Sequence, residues 1–123
     1  MTTRSIEHVA ALHSLPLLRY PRTPHLESSR HQSGDAPDVQ PLAPLVGQHA
    51  VIEEKMDGAN CALSFTEGGE LCLQSRGHYL TGGARERQFA ALHPWARAHE
   101  SALLACLQDR YVLYGEWMFA KHA

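Results

Sequence analysis

The sequence predicts an α+β domain with an antiparallel sheet, and three stretches of the chain carry that prediction. Residues 61–76 alternate apolar and polar side chains on either side of a Glu-Gly-Gly-Glu turn, which is typical of a β-hairpin. Residues 84–107 carry apolar side chains at helical spacing in two stretches, 84–92 and a second helix to 107 with Pro94 in its first turn. The first stretch is expected to leave Glu86 mostly solvated, and the second is expected to place Trp95, Leu103, Leu104 and Leu107 in the core. Residues 111–114 form a β-branched and aromatic run that predicts a further strand.

The first part of the chain is predicted to be less regular. Apolar residues at helical spacing predict a short amphipathic helix over residues 5–14, ended by Pro16. Residues 27–48 are rich in Ser, Gly, Asp and Pro and predict an irregular loop, either a plain connector or a substrate contact. Val51 and Ile52 then predict a strand that leads to Lys55.

Composition limits the classes of protein to consider. A chain of 123 residues that is 44% hydrophobic has the size and apolar content of one globular domain. Its net charge of −2 excludes a protein that holds nucleic acid by bulk positive charge alone. No signal peptide or membrane span is predicted, because charged residues and histidines interrupt the first apolar positions.

The cysteines and histidines indicate neither a disulfide framework nor a zinc site. The three cysteines are widely spaced and odd in number, so we expect reduced, mostly buried thiols in a cytoplasmic protein. They are Cys61, Cys72 and Cys106. The nine histidines contain no His-Glu-x-x-His arrangement.

Lys55 is the residue most indicative of chemistry. The chain contains two lysines against nine arginines, and Lys55 stands in the string Glu54-Lys55-Met56-Asp57-Gly58-Ala59-Asn60. An arginine stays protonated in proteins, whereas a lysine can lose its proton and act as a nucleophile. Taken alone, the lysine is equally compatible with an ordinary surface charge.

Two further charged residues are candidate site residues because of their predicted positions. The hairpin carries Arg76 back along its second strand toward the end where Lys55 is expected. Period-two alternation places Glu116 on the same strand face as Val112 and Tyr114, where a carboxylate requires a partner. Each of the two, considered alone, is also compatible with a solvated surface charge.

Together these segments resemble the first three nucleotidyltransferase motifs of ATP-dependent RNA ligases. In order along the chain, the pieces are Lys55-x-Asp57-Gly58-x-Asn60, Ser75-Arg76-Gly77 and Gly115-Glu116. Asn60 favours RNA ligases over DNA ligases and capping enzymes, which usually carry arginine at that position. The segments 20–26 and 114–122 are similar to a bacterial-type branch of RNA-ligase-like proteins.

The resemblance implies a fold and a domain organisation. The fold would be the antiparallel-sheet nucleotidyltransferase (ATP-grasp-like) ligase fold, incomplete at the C-terminus. Residues 1–48 would form an N-terminal helix and a Pro-rich leader. Residues 49–123 would form a partial nucleotidyltransferase domain that carries motifs I, Ia and III.

The resemblance also implies an activity. Lys55 would attack the α-phosphorus of ATP and keep AMP on its amine, and the AMP would pass to the 5′-phosphate of an RNA end before a 3′-hydroxyl seals the strand. The nucleotide-binding residues would be Glu54, Asp57, Gly58, Asn60, Arg76 and Glu116, and Glu116 would also help to position a metal. Mg²⁺ would be the metal, because an amine surrounded by carboxylates needs a cation nearby to offset them, and phosphoryl transfer needs one too.

The sequence leaves the completeness and the class of the enzyme open. Members of this family carry further motifs after the Gly-Glu strand, among them a second glutamate and a pair of lysines, which are absent before Ala123. We therefore predict a fragment of a longer ligase, which alone would be weakly active or would only bind nucleotide or nucleic acid. A DNA ligase or capping-type enzyme is also compatible with the motifs, although Asn60 disfavours both. A plain α+β structural domain would require all three motifs to be coincidence.

Overall fold

The computed structural model describes residues 15–30 and 38–119 of the chain. The chain divides into two units, one formed by Pro21–Lys55 and the other by the residues up to Tyr20 together with those from Met56 onward. The helix predicted over residues 5–14 lies outside the described residues.

The described residues of the unit Pro21–Lys55 form three short regular elements. They are strand β1 (His25–Leu26), strand β2 (Val39–Gln40), which pairs with β1 in parallel, and a 3-10 helix (Ala43–Leu45). The Glu27 carboxylate accepts a hydrogen bond from the Leu42 N–H at 2.7 Å. The stretch predicted as an irregular loop therefore contains short paired and helical pieces.

The strand predicted at Val51 and Ile52 is absent. Residues 49–58 are irregular, and the two side chains are exposed to 73% and 96%. The prediction was wrong because β-branched residues favour a strand only where a neighbouring strand takes up their backbone hydrogen bonds and side-chain contacts. Lys55 therefore lies in irregular backbone and not at a strand end.

The other unit contains a three-stranded antiparallel sheet, which confirms the predicted α+β class. The strands are β3 (Ala59–Phe65), β4 (Leu71–Ser75) and β5 (Leu113–Trp117), in the order β4-β3-β5. Phe65 pairs with Leu71 and Cys61 with Ser75, so the predicted hairpin is confirmed. Gly69 takes a φ of +79° in its turn, a conformation that favours glycine.

One face of the sheet is covered by helices. A 3-10 helix (Ala84–Phe89) is followed by helices α1 (Leu92–Ala98) and α2 (Glu100–Leu107). The buried core comprises Cys61, Leu63, Phe65, Leu71, Leu73, Leu80, Phe89, Leu92 and Ala96. Pro94 lies in the first turn of α1 as predicted, but the helix expected to reach residue 107 is interrupted at His99.

Several burial predictions are corrected by this packing. Leu103, Leu104 and Leu107 pack on the core as expected, whereas Trp95 is 42% exposed. Cys61 and Cys72 are buried free thiols, whereas Cys106 is exposed on α2. Trp95 and Cys106 both lie on helix surfaces that the sheet does not cover, which periodicity over short helices does not resolve.

The opposite face of the sheet is contacted by residues 15–20, which we call the leader segment. Gln74 Nε2 and Tyr114 Oη both donate hydrogen bonds to the carbonyl oxygen of Leu18, at 2.8 and 2.7 Å. Tyr79 Oη donates to the carbonyl oxygen of Pro16 at 3.1 Å. The leader segment is therefore fixed by side chains of the sheet unit.

Glu86 is buried, although the sequence predicted a mostly solvated side chain. It retains 8% exposure in the 3-10 helix. Its carboxylate accepts hydrogen bonds from the N–H groups of Thr81 and Gly82, the latter at 2.6 Å, and lies 3.5 Å from His78 Nε2. The helix predicted over residues 84–92 is present as a 3-10 helix over Ala84–Phe89, and the Glu86 carboxylate binds the backbone that precedes it.

We expect Glu86→Ala to lower the free energy of unfolding by about 1–3 kcal/mol, because it removes the buried carboxylate that accepts hydrogen bonds from two backbone N–H groups. Urea denaturation measures this change. Glu100→Ala is the control, since Glu100 makes a solvent-exposed pair with Arg97 and its removal should cost less than about 1 kcal/mol. Equal losses in the two variants would contradict the structural role of Glu86.

In the part of the chain that the structure describes, no helix has the length and apolar character needed to cross a membrane.

Candidate functional site

Glu116 joins two distant parts of the sequence. The register of β5 on β3 places Glu116 opposite Asn60. Its Oε1 accepts a hydrogen bond from Asn60 Nδ2 at 3.4 Å, and its Oε2 accepts one from the Gly58 N–H at 3.3 Å. The partner that the sequence required for this carboxylate is therefore the Gly58–Asn60 end of β3.

The two faces of β5 have different surroundings. Trp117 packs against the hydrophobic core, whereas Glu116 and Tyr114 lie on the other face by strand alternation. Ala62 pairs with both Tyr114 and Gln74, so these side chains form a row next to the Asn60–Glu116 pair. This face therefore carries the polar side chains of Asn60, Gln74, Tyr114 and Glu116.

Gly58 is required by the close approach of β5. A Cβ atom at this position would lie 2.9 Å from the Trp117 carbonyl oxygen and 3.0 Å from Met118 Sδ. The carbonyl belongs to backbone that is paired in the sheet, so it cannot move away cheaply. The sequence indicated Gly58 as a site residue but carried no signal of this contact with Trp117.

Arg76 directly follows β4. Because Ser75 pairs with Cys61, Arg76 leaves the sheet at the end where Asn60 lies, and its side chain is exposed. The turn after it is held by Ser75 Oγ, which accepts hydrogen bonds from the N–H groups of Gly77 and His78, both at 3.3 Å. The predicted return of Arg76 along the hairpin is thus observed.

Lys55, Glu54 and Asp57 are exposed. Lys55 is the last residue of the unit Pro21–Lys55, and Asp57 belongs to the unit that contains the sheet. Only three peptide steps separate Lys55 from Gly58, which limits the distance between their Cα atoms to about 11 Å. Lys55 is therefore close along the chain to Gly58, whose N–H contacts Glu116.

A comparison with protein-family models decides the family. The RNA ligase model matches residues 48–123, more than half of the chain. The chain belongs to the RNA ligase family. The match includes every site residue predicted from the sequence, and no curated protein or solved structure matched this RNA ligase chain.

A metal ion at this RNA ligase site would depend on few protein groups. Within residues 15–30 and 38–119, no three His, Cys, Asp or Glu side chains are grouped so as to hold a metal ion. Mg²⁺ usually keeps several waters and binds through one or two carboxylates together with substrate phosphates. The exposed Glu116 carboxylate fits that mode of binding.

The pKa of the Cys61 thiol depends in part on the charge of Glu116 in this RNA ligase site. Burial raises the pKa of the Cys61 thiol above its ordinary value of 9.0, and the nearby Glu116 carboxylate raises it further. The pKa of Cys72 is also raised, by burial first and then by Glu70, with no contribution from Glu116. Of these two buried thiols, Cys61 is therefore the one that connects the core to the candidate site.

We expect the free energy of unfolding to fall as the pH rises above 9.0. The unfolded thiol then ionises while the folded Cys61 thiol keeps its proton, so the stability present below pH 9.0 is lost. Glu116→Gln should reduce this fall, because it removes the carboxylate that contributes to the raised pKa of Cys61. Urea denaturation at about pH 8 and about pH 10 tests this, and an unchanged pH dependence in the variant would contradict it.

Proposed function

We propose that this chain carries the nucleotidyltransferase site of an ATP-dependent RNA ligase that forms a lysyl-AMP intermediate. The contact of Glu116 with Gly58 and Asn60 supports the proposal most strongly. It joins the segment that follows Lys55 to the Gly-Glu strand, two motifs whose combination the sequence alone identified. Membership of the RNA ligase family supports the same conclusion.

The proposed reaction begins at the Lys55 amine. The neutral nitrogen attacks the α-phosphorus of ATP, a P–N bond forms, and the P–O bond to pyrophosphate breaks as the amine loses its proton to solvent. AMP then passes to the 5′-phosphate of an RNA end, which frees the amine. Attack by an RNA 3′-hydroxyl on the activated 5′-phosphate seals the strand and releases AMP.

The other predicted residues bind and orient in this scheme. Asp57 and Asn60 hold the nucleotide sugar and the reacting ends, and the exposed Arg76 contacts a phosphate of the nucleotide or of the RNA. Glu53 or Glu54 borders the adenine pocket. The Gly58 N–H orients the Glu116 carboxylate, which binds the ribose or the metal.

Mg²⁺, when bound with the triphosphate, neutralises the charge that develops on the phosphate oxygens. Glu116 is the residue of this chain that would hold it. We place the activity in the cytoplasm, where the free thiols of Cys61, Cys72 and Cys106 would stay reduced.

The proposal is tested by incubating the chain with ATP and Mg²⁺. Label at the α-phosphate should become covalently attached to the protein and label at the γ-phosphate should not. The bond should be labile in acid and stable in base, as a phosphoramidate is. Addition of RNA with a 5′-phosphate should then move the label to the RNA.

Three outcomes would contradict the proposal. ATP binding without covalent label would indicate a chain that only binds nucleotide. Transfer of the label to a DNA 5′-phosphate but not to an RNA 5′-phosphate would indicate a DNA ligase. Covalent label from α-labelled GTP, offered in place of ATP, with none from ATP would indicate a capping-type enzyme.

A further inference from the structure

The leader segment is held at two of its carbonyl groups. Leu18 accepts two hydrogen bonds, from Gln74 on β4 and from Tyr114 on β5, and Pro16 accepts one from Tyr79. Gln74 is itself buried, with 3% exposure, and bridges to Tyr79. The backbone two residues before Tyr20 is therefore fixed to both outer strands of the sheet.

Tyr20 is positioned by this attachment and by a ring contact. Its ring meets that of Tyr114 in an edge-to-face arrangement, with centroids 5.3 Å apart and planes at 64°. Pro21 follows and restricts the backbone of Tyr20 to extended conformations. Even so, Tyr20 remains 47% exposed. The result is an aromatic side chain that is held in place while much of its surface stays open.

The open ring contacts Tyr114, a neighbour of the candidate site on β5. Tyr114, which it contacts, is two residues from Glu116 on the same face of β5, a spacing of about 7 Å. Asn60 stands opposite Glu116 on the neighbouring strand. Arg19, adjacent to Tyr20, is exposed and adds a positive charge at this position.

We propose that Tyr20 is a binding residue that stacks on a nucleobase held beside Asn60 and Glu116, an inference that rests on the proposed function. Aromatic side chains next to a basic residue bind nucleic acid by stacking on bases while the cation neutralises phosphate. A tyrosine that served only to pack the leader segment would gain most by being buried. The base is either the adenine of ATP or a base of the RNA end.

Three variants separate stacking from packing. Tyr20→Leu removes the aromatic ring and keeps an apolar side chain, whereas Tyr20→Phe keeps the ring. Tyr111→Leu is the matched control, since Tyr111 is exposed to a similar degree and stands outside the Tyr20–Tyr114 contact. Binding is measured with a non-hydrolysable ATP analogue by calorimetry and with a fluorescent 5′-phosphorylated oligoribonucleotide by anisotropy.

Tyr20→Leu should weaken binding of one ligand about tenfold, and Tyr20→Phe should stay within about twofold of the wild type. The ligand that loses affinity identifies the source of the base. Thermal unfolding midpoints of the variants should match the wild type, which shows that the leader segment does not act through stability. Tyr114→Phe should reduce ligand affinity less than Tyr20→Leu does, because the hydrogen bond from Gln74 to the Leu18 carbonyl remains.

Unchanged affinity of Tyr20→Leu for both ligands would overturn the inference. An equal loss in Tyr20→Phe would also overturn it, because that variant keeps the stacking ring. Neither readout requires a covalent intermediate. The two proposals can therefore fail separately. If the wild-type chain takes no label from ATP, the proposed function is contradicted. If Tyr20→Leu nevertheless binds RNA or nucleotide more weakly than the wild type, the role of Tyr20 is supported.

Discussion

Replacement of Lys55 with arginine is expected to reduce covalent labelling by α-labelled ATP by on the order of a thousandfold or more. Arginine keeps the positive charge and most of the length of the side chain. Its guanidinium stays protonated and so cannot attack phosphorus. The loss should therefore fall on the chemical step and leave nucleotide binding largely intact.

The measurement is quantification of the labelled protein on a denaturing gel, together with affinity for a non-hydrolysable ATP analogue. Lys121→Arg is the matched control, because Lys121 is the second of the two lysines in the chain. Label that persists in Lys55→Arg and disappears in Lys121→Arg would assign the nucleophile to Lys121. An equal loss of analogue affinity and labelling would show that Lys55 acts in nucleotide binding and not in the chemical step.

Gly58→Ala is the second change with a large expected effect. The added Cβ would meet the Trp117 carbonyl at 2.9 Å, and backbone in a paired strand resists displacement. Overpacking of this kind costs about 1–3 kcal/mol. Relief of the clash would separate Gly58 from β5 and break the hydrogen bond to Glu116, so labelling by ATP should fall at least about tenfold.

The control for this variant is Gly83→Ala. Nothing lies within 4 Å of a Cβ at Gly83, and its φ of −71° suits alanine. The free energy of unfolding and the rate of labelling are measured for both variants. Wild-type labelling by Gly58→Ala would show that the contact between Gly58 and β5 does not support the site.

Local patterns in the sequence were sufficient to predict the hairpin of the sheet. The hairpin of β3 and β4 follows from alternation around a glycine turn, and these signals need no knowledge of distant residues. The same reasoning failed at Val51 and Ile52, where the backbone finds no partner strand. Partnering is a tertiary property, so local propensity carries no information about it.

The composition of the candidate site was predictable, but most of its contacts were not. Residue types and order identified Asn60 and Glu116, and period-two alternation indicated that Glu116 needs a partner. The identity of that partner depends on the register between two strands more than fifty residues apart in the sequence. Local sequence patterns do not determine that register. The burial of Glu86 was missed for a similar reason, because its hydrogen-bond donors are backbone groups of a turn.

The alternation along β5 has a consequence for the evolution and engineering of this chain. Two adjacent residues of the strand have different roles, since Trp117 packs against the core and Glu116 contacts Gly58 and Asn60. A single-residue insertion or deletion in the strand would exchange the two faces, bury the carboxylate and expose the indole. Selection for a stable fold therefore also preserves the alignment of the polar residues. The length of this strand is constrained both by the packing of Trp117 and by the contacts of Glu116.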